Sequence, residues 1–384
     1  MKIPYNKQHI FNDAFNIVSR SLKSDLITTG QYVKKFEKKL SIYNKVKFSL
    51  VTSSGTSALH LAFESINIKK GDNVIIPAIN FIASYSMLKK LNANIFLADV
   101  DQEGHLSPKS LVDCIKKNNL KKIKTVVNMH MSGQIKYVID FYKLKKKYDF
   151  ILINDSCHSF GSKYIFKKKI YNSGNCKLFD IATFSFHPVK SITTGEGGAL
   201  LTNNKQIYQN ARDKRSHGII RDKKKYWNYN INELGYNYRI SDINCALGLS
   251  QLNSLKKLLS KRKIIAHYYL KNLEKFKEYI DLPNKNLINL SSCHLFIIRF
   301  KINILKKNFS KDDVFYIFNA KKIFPQYHYI PIYKFTAFKG RKKRLPVTES
   351  FYKSSLSLPI YYEMNFKDCD KVIKCIEIAI KKFK

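Results

Sequence analysis

The chain has 384 residues, 45% of them hydrophobic, enough for one large domain and a smaller one with separate cores, and this excludes a disordered chain. Its formal charge of +41 is overwhelmingly lysine, spread along the sequence, while arginine, the usual reader of phosphates and bases, is scarce; we read solvated lysine faces and expect neither nucleic acid nor a membrane as partner. Seven cysteines without a CxxC pair disfavour both a disulfide framework and a metal site, and a start that lacks the apolar core of a signal peptide points to the cytoplasm.

An amphipathic stretch near Phe11–Leu22 predicts a first helix, after which short apolar runs alternate with helical periodicity. Strands are expected at Phe48–Thr52, Asn73–Pro77, Ile95–Asp99, Thr125–Met129, Phe150–Asn154, Ile181–Phe186 and Gly198–Leu201. Helices are expected at Ser57–Ile66, Ile82–Leu91, Pro108–Lys117 and Val138–Lys147. This βαβ rhythm predicts an α/β fold with a mostly parallel sheet covered on both faces, and ligands beyond the carboxyl ends of the strands. From about Arg239 the pattern turns to long helical periodicity, with Leu247, Leu249, Leu252, Leu255, Leu258 and Leu259 in an apolar stripe that predicts one linking helix. Cys293–Ile302 then reads as a strand and Asp368–Lys384 as a terminal helix on a small C-terminal domain.

Several strand ends carry residues of chemical interest. Ser53-Ser54-Gly55-Thr56-Ser57 follows a strand and opens a helix, so backbone N–H groups and hydroxyls converge where an anion could sit, although the same residues also make ordinary N-caps. Phe81 follows the second strand, as core or as a surface for a flat ligand, and His130 and Gln134 follow the fourth. Asp155 ends the fifth strand, where a carboxylate can face a ligand or simply cap the turn. The stretch ATFSFHPVKSITTGEGGALLT, Ala182–Thr202, delivers Ser185, His187 and Lys190 to a strand end beside a glycine-rich turn. A lysine in such a partly apolar pocket loses proton affinity and can add to a carbonyl. Asn237 and Arg239 lie where they could cap the following helix, with Ser241 or Asp242 as its N-cap.

Ala182–Thr202, together with SSGTSALHLA (53–62), NDSCHSFGS (154–162) and GYNYR (235–239), resembles the sugar aminotransferases of the DegT/DnrJ/EryC1/StrS family, a likeness that runs from SDLITTG (24–30) to SLSLPIY (355–361). The resemblance implies the aspartate aminotransferase-like fold type I of transferases that use pyridoxal 5'-phosphate (PLP). It would comprise a large domain with a seven-stranded sheet (1–250, with the N-terminal segment) and a smaller α+β domain (251–384, with the linking helix). It implies PLP as cofactor, Lys190 as the residue joined to its aldehyde and, once released, as the base, and Asp155 as the carboxylate that keeps the pyridine nitrogen protonated. Gly55, Thr56 and Ser185 would hold the phosphate, Phe81 would stack on the ring and His158 would meet the ring hydroxyl. Asn237 would reach the phosphate of the neighbouring subunit, which implies a homodimer. His130, Arg239, His328 and Tyr329 fall to the substrate. Sugar dehydratases of the family carry histidine where this chain has Lys190, which argues for amino transfer. The family usually has glutamate before the aspartate, whereas this chain has Asn154.

NDSCHSFGS, NELGYNYRISDINCALGLSQL (232–252) and QYHYIPIY (326–333) are similar to the branch of the family that serves pseudaminic acid biosynthesis. That implies a UDP-linked 4-keto-6-deoxy amino sugar as acceptor and L-glutamate as donor. Three other readings stay open: an aminotransferase of the perosamine or bacillosamine type, a non-catalytic PLP-fold regulatory protein, and a nucleic-acid binder driven by charge.

Overall fold

The computed structural model describes residues 2–222, 224–225, 227–305, 308–338 and 345–384. Two helices, α1 (Asp13–Leu22) and α2 (Gln31–Asn44), precede strand β1 (Phe48–Thr52), which runs into helix α3 (Gly55–Ser65). There follow β2 (Asn73–Pro77), α4 (Ala83–Lys90), β3 (Asn94–Ala98), α5 (Pro108–Lys117), β4 (Thr125–Met129), α6 (Val138–Tyr148) and β5 (Ile151–Asp155). Strands β6 (Ile181–Ser185) and β7 (Gly198–Thr202) complete the sheet, and α7 (Lys205–Arg215) follows. The seven strands lie in the order β1-β7-β6-β5-β4-β2-β3; β7 runs antiparallel to both its neighbours and the other pairings are parallel.

The strands read as nearly unbroken apolar runs because both faces of the sheet are covered. Alternate side chains serve opposite layers: Val51, Ile75, Val126, Leu152, Ala199 and Leu201 join Phe36, Leu111 and Phe141 in one core, whereas Leu50, Val74, Ile76, Val127, Ile153 and Leu200 join Leu59, Phe63, Leu88 and Ile207 in the other. Phe63 is fully buried, and interment of a side chain of that size stabilises the fold by roughly 1.5–3 kcal/mol.

The leucine stripe after Arg239, expected as one linking helix, forms two: α8 (Asp242–Asn253) and α9 (Leu255–Leu273), separated at Ser254, whose backbone (φ −92°, ψ 1°) leaves the helical region. Across the break Leu249, Leu252, Leu255, Leu258 and Leu259 still pack into the core of the large sheet, and from Ile265 onward α9 packs into a second core. That second core surrounds an antiparallel sheet of Ile280–Asp281, Phe296–Phe300 and Ser355–Leu358 and is covered by the helix Phe366–Phe383. Ile3 of the N-terminal strand joins it, because Ile3–Pro4 pairs in parallel with Ile323–Phe324.

Asp242, expected at most to cap its own helix, has another task. Ser241 caps α8, accepting from the Asn244 N–H (3.2 Å), while the fully buried Asp242 carboxylate accepts from the N–H groups of Gly30 (2.7 Å), Tyr32 (2.6 Å) and Val33 (3.2 Å) at the start of α2. A negative group there meets the positive end of the helix dipole.

Candidate active site

The carboxyl ends of β1, β5 and β6 converge on one cavity of about 280 Å³. At its first corner the chain leaves β1 and turns into α3. Ser54 Oγ accepts from the Ser57 N–H (3.1 Å) and Ser57 Oγ from the Ser54 N–H (2.9 Å), a reciprocal cap that fixes the turn. The first N–H groups of α3 have no acceptor within the helix and face the cavity edge formed by Gly55 and Thr56. Close approach explains the glycine: a Cβ on Gly55 would stand 2.7 Å from the Ser185 Cβ, and one on Gly198 would stand 2.3 Å from the Ser54 carbonyl oxygen.

Lys190 follows β6 on a loop that folds back on itself. The Phe186 N–H donates to Gly197 O (2.8 Å), Thr194 N–H to Phe186 O (3.0 Å) and Lys190 N–H to His187 O (2.9 Å), so the lysine is held against the end of β5. There Asp155, buried, accepts at Oδ1 from the Cys157 N–H (3.1 Å). Burial depresses the Lys190 amine below the usual lysine range, opposed by the attraction of Cys157 and Asp155. Burial likewise raises the Asp155 carboxyl, opposed by hydrogen bonds from Cys157 and by the charge of Lys190. The amine is thus biased toward the unprotonated form in which it is a nucleophile.

The opposite wall is neutral and polar. His158 Nε2 lies 2.8 Å from the Tyr329 hydroxyl, and His328 Nδ1 lies 2.8 Å from Ser357 Oγ. Burial first, and then the Lys190 charge, push His158 well below the usual histidine range and His328 down to about 3. Burial also raises the Tyr329 phenol well above its ordinary value. Phe81 stands at the rim, 52% exposed, with its ring 5.8 Å from that of Tyr329. A phenylalanine so exposed is not core, which removes the bland alternative for that residue.

Gly55, Thr56, Phe81, Asp155, His158, Ser185, Lys190, His328 and Tyr329 thus line a single cavity. Four of the expected residues do not. His130 is buried outside the lining, its Nδ1 2.9 Å from Ser159 Oγ and 3.2 Å from Ser156 Oγ, because β4 turns down into the short helical turn Met131–Gly133. Gln134 likewise lines a different cavity, with His105 and Arg299. Asn237 is exposed and bridges to Ser216. Arg239 lines a separate basic cavity of about 650 Å³ with Arg212, His217 and Arg221. The segment carrying both is tied to α3: Tyr238 Oη lies 2.9 Å from His60 Nδ1, and Tyr236 Oη donates to Glu64 (2.8 Å), which also holds Lys214 (2.7 Å).

Tyr5 and His294 line the site without having been expected there. Tyr5 follows the N-terminal strand Ile3–Pro4, and its carbonyl accepts from the Ile360 N–H (3.0 Å), a contact across the chain that no local pattern announces. His294 carries a weak signal, a titratable residue just before the apolar run LFIIRF.

The whole chain is similar to proteins of a known family. The sequence profile of the DegT/DnrJ/EryC1/StrS aminotransferase family matches residues 8–377. The UDP-4-amino-4,6-dideoxy-N-acetyl-beta-L-altrosamine transaminase of Campylobacter jejuni strain 81-176 is 35% identical, over 100% of this chain and 98% of its own length. The GDP-perosamine synthase of Escherichia coli O157:H7 is 32% identical over 71% of each chain. Among solved structures, Helicobacter pylori PseC, an aminotransferase of pseudaminic acid biosynthesis, superposes with a TM-score of 0.90 at 27% identity over 100% of both chains. The PLP form of Spr1654 from Streptococcus pneumoniae gives a TM-score of 0.88 at 25% identity over 100% of this chain and 99% of its own.

Proposed function

Because the chain belongs to the DegT/DnrJ/EryC1/StrS aminotransferase family, we propose that it is a PLP-dependent nucleotide-sugar aminotransferase, moving nitrogen from L-glutamate to a UDP-linked 4-keto-6-deoxy amino sugar. The product on this reading is UDP-4-amino-4,6-dideoxy-N-acetyl-β-L-altrosamine, for pseudaminic acid biosynthesis. The observation that carries it is the meeting of Lys190, Asp155 and the start of α3 in one cavity.

The residues present fit the cofactor. A cradle that a Cβ at Gly55 would fill, bounded by Thr56, Ser185 and the positive end of α3, suits a phosphate. Asp155 would hold the pyridine nitrogen in its protonated form, Phe81 would cover the ring face and His158 would meet the ring hydroxyl. When bound, PLP supplies an electron-poor ring that stabilises negative charge at the substrate carbon. Lys190 Nζ would hold the cofactor's aldehyde carbon and, once freed by substrate, carry a proton from the substrate carbon and return one. His328 and Tyr329 would orient the substrate from the small-domain side.

Asn237 we assign to the site of a second copy, with Arg239 directed to that copy's substrate, in a homodimer. This is supported by the exposure of Asn237 away from its own cavity and by the apolar arm before it, where Leu234 is 88% exposed and Trp227 67%. No helix among the described residues is long and apolar enough to cross a membrane.

The test is to load the purified protein with PLP, add glutamate, and then offer a series of 4-keto nucleotide sugars, identifying the aminated product by mass spectrometry. Discharge by the UDP-linked 4-keto-6-deoxy N-acetyl sugar supports the reading. Preference for a GDP-linked keto sugar would move the assignment to the perosamine type, which the E. coli relative keeps in view. Failure of glutamate to convert the cofactor would leave only a non-catalytic role.

A further inference from the structure

We infer that Tyr236 and Tyr238 are positioning residues that set Asn237 and Arg239 for the site of a second copy, an inference that rests on the two-chain reading of Asn237 above. The chain is extended at Asn237, which forms an antiparallel bridge with Ser216. Successive side chains of an extended segment point to opposite sides. Both tyrosines face the body of their own subunit. Their rings stack with centroids 4.8 Å apart and planes 7° apart, and both pack against the core that holds Leu59, Phe63 and Ile207. Asn237, between them, is exposed, and Arg239, two residues on, lines the separate basic cavity.

Each tyrosine is pinned by backbone and by side chain. The Tyr236 N–H donates to Lys214 O (2.7 Å) and its carbonyl accepts from the His217 N–H (2.9 Å). The Tyr238 N–H donates to Arg215 O (3.0 Å) and its carbonyl accepts from the Ser53 N–H (2.9 Å). The two hydroxyls reach His60 and Glu64, which lie one turn apart on α3: Tyr238 Oη is 2.9 Å from His60 Nδ1, and Tyr236 Oη donates to Glu64 Oε1 (2.8 Å). Lys214, at the end of α7, holds the same Glu64 carboxylate (2.7 Å). A side chain that leaves its own subunit for a ligand in another is only as well placed as the backbone behind it, and small misplacements are costly in rate and affinity. Ser53 also borders the chain's own phosphate cradle, which gives the tyrosines a rival role. That turn is already closed by the reciprocal cap of Ser54 and Ser57, whereas Asn237 depends on the two tyrosines and the Ser216 bridge.

Absorbance separates the two roles, because only a site that keeps Lys190 forms the covalently bound chromophore. In Tyr238→Phe homodimers the PLP dissociation constant should rise roughly three- to tenfold, the loss of one neutral hydrogen bond. His60→Leu removes the other half of the same contact and should give a similar rise, so either variant carries the test if the other does not fold. The variant is then exchanged with a large excess of Lys190→Ala, so that nearly every variant chain pairs with a chain whose arm is intact. Its site, the one that gives a chromophore, should now bind PLP with wild-type affinity. A site that stays weak would place the effect within its own chain and overturn the positioning role, as would unchanged affinity in the homodimers. Asn237→Ala, exchanged in the same way, tests the premise separately. If its affinity returns while that of Tyr238→Phe does not, the positioning role alone falls. If its affinity does not return, the two-chain reading falls and the positioning role with it.

Discussion

At Lys190 and Asp155 the chemistry depends on opposed electrostatic effects, and both can be tested. Lys190→Ala removes the group assigned to hold the cofactor and to carry the proton, so turnover should fall by at least about a thousandfold, with loss of the covalently bound chromophore in the absorption spectrum. Asp155→Asn tests the coupling. In the wild type the attraction of Asp155 raises the amine's proton affinity against the larger effect of burial. Removing that attraction lets the Lys190 pKa fall further, so the acidic limb of the pH profile for PLP uptake should move to lower pH even as turnover is lost. A shift toward higher pH would mean that the two side chains do not interact as described. In the sequence Asp155 ends an apolar strand and Lys190 lies on the loop after one, where topology directs residues toward a ligand, but the roles expected of them came from the resemblance to the aminotransferase family. Tyr5 and His294 were not, since they reach the cavity through contacts between the N-terminal strand, the small sheet and the large one.

The elements were most readable where hydrophobic period and turn chemistry agreed. β1, β2, β4 and α5 fall on their expected residues, while β3 and β5 shift by one position. The hairpin Lys163–Phe166 with Lys169–Asn172 escaped notice because its apolar runs, Tyr164–Phe166 and Ile170–Tyr171, are very short, stand on either side of three lysines and leave Ile165 and Ile170 exposed. Helix α2 escaped because its start depends on Asp242, some two hundred residues away, and no local capping side chain marks it. Asp242→Ala should therefore destabilise the fold by about 3 kcal/mol, since three N–H groups lose a charged acceptor, and urea unfolding would measure it. At the turn into α3, Gly55→Ala drives a methyl against the Ser185 Cβ, 2.7 Å away, and should cost roughly 1–3 kcal/mol together with PLP affinity. Adding Ser185→Gly should restore part of the stability and none of the affinity, because it also removes a hydroxyl assigned to the phosphate. Recovery of both by the double variant would show that Ser185 is only a packing neighbour.

Over the whole molecule, the charge of +41 and the apolar arm make different demands on partners. Lysine spread over many faces raises long-range attraction for any anion, nucleotide sugars included, and specifies none. The arm is local: Ile220, Trp227, Tyr229, Ile231 and Leu234 are all exposed within fifteen residues of one another, just before Asn237. If Asn237 serves the site of a second copy, Lys190→Ala and Asn237→Ala protomers should each be nearly inactive alone and should complement when mixed. Each mixed dimer would hold one site with both defects and one site with neither. Random exchange at equal concentrations makes about half the dimers mixed, so about a quarter of the wild-type sites should return. If Asn237 acted within its own chain, every site of every mixed dimer would carry one defect and mixing would restore nothing. Measured activity after subunit exchange therefore decides between a site completed by two chains and a site closed within one, independently of which sugar the enzyme prefers.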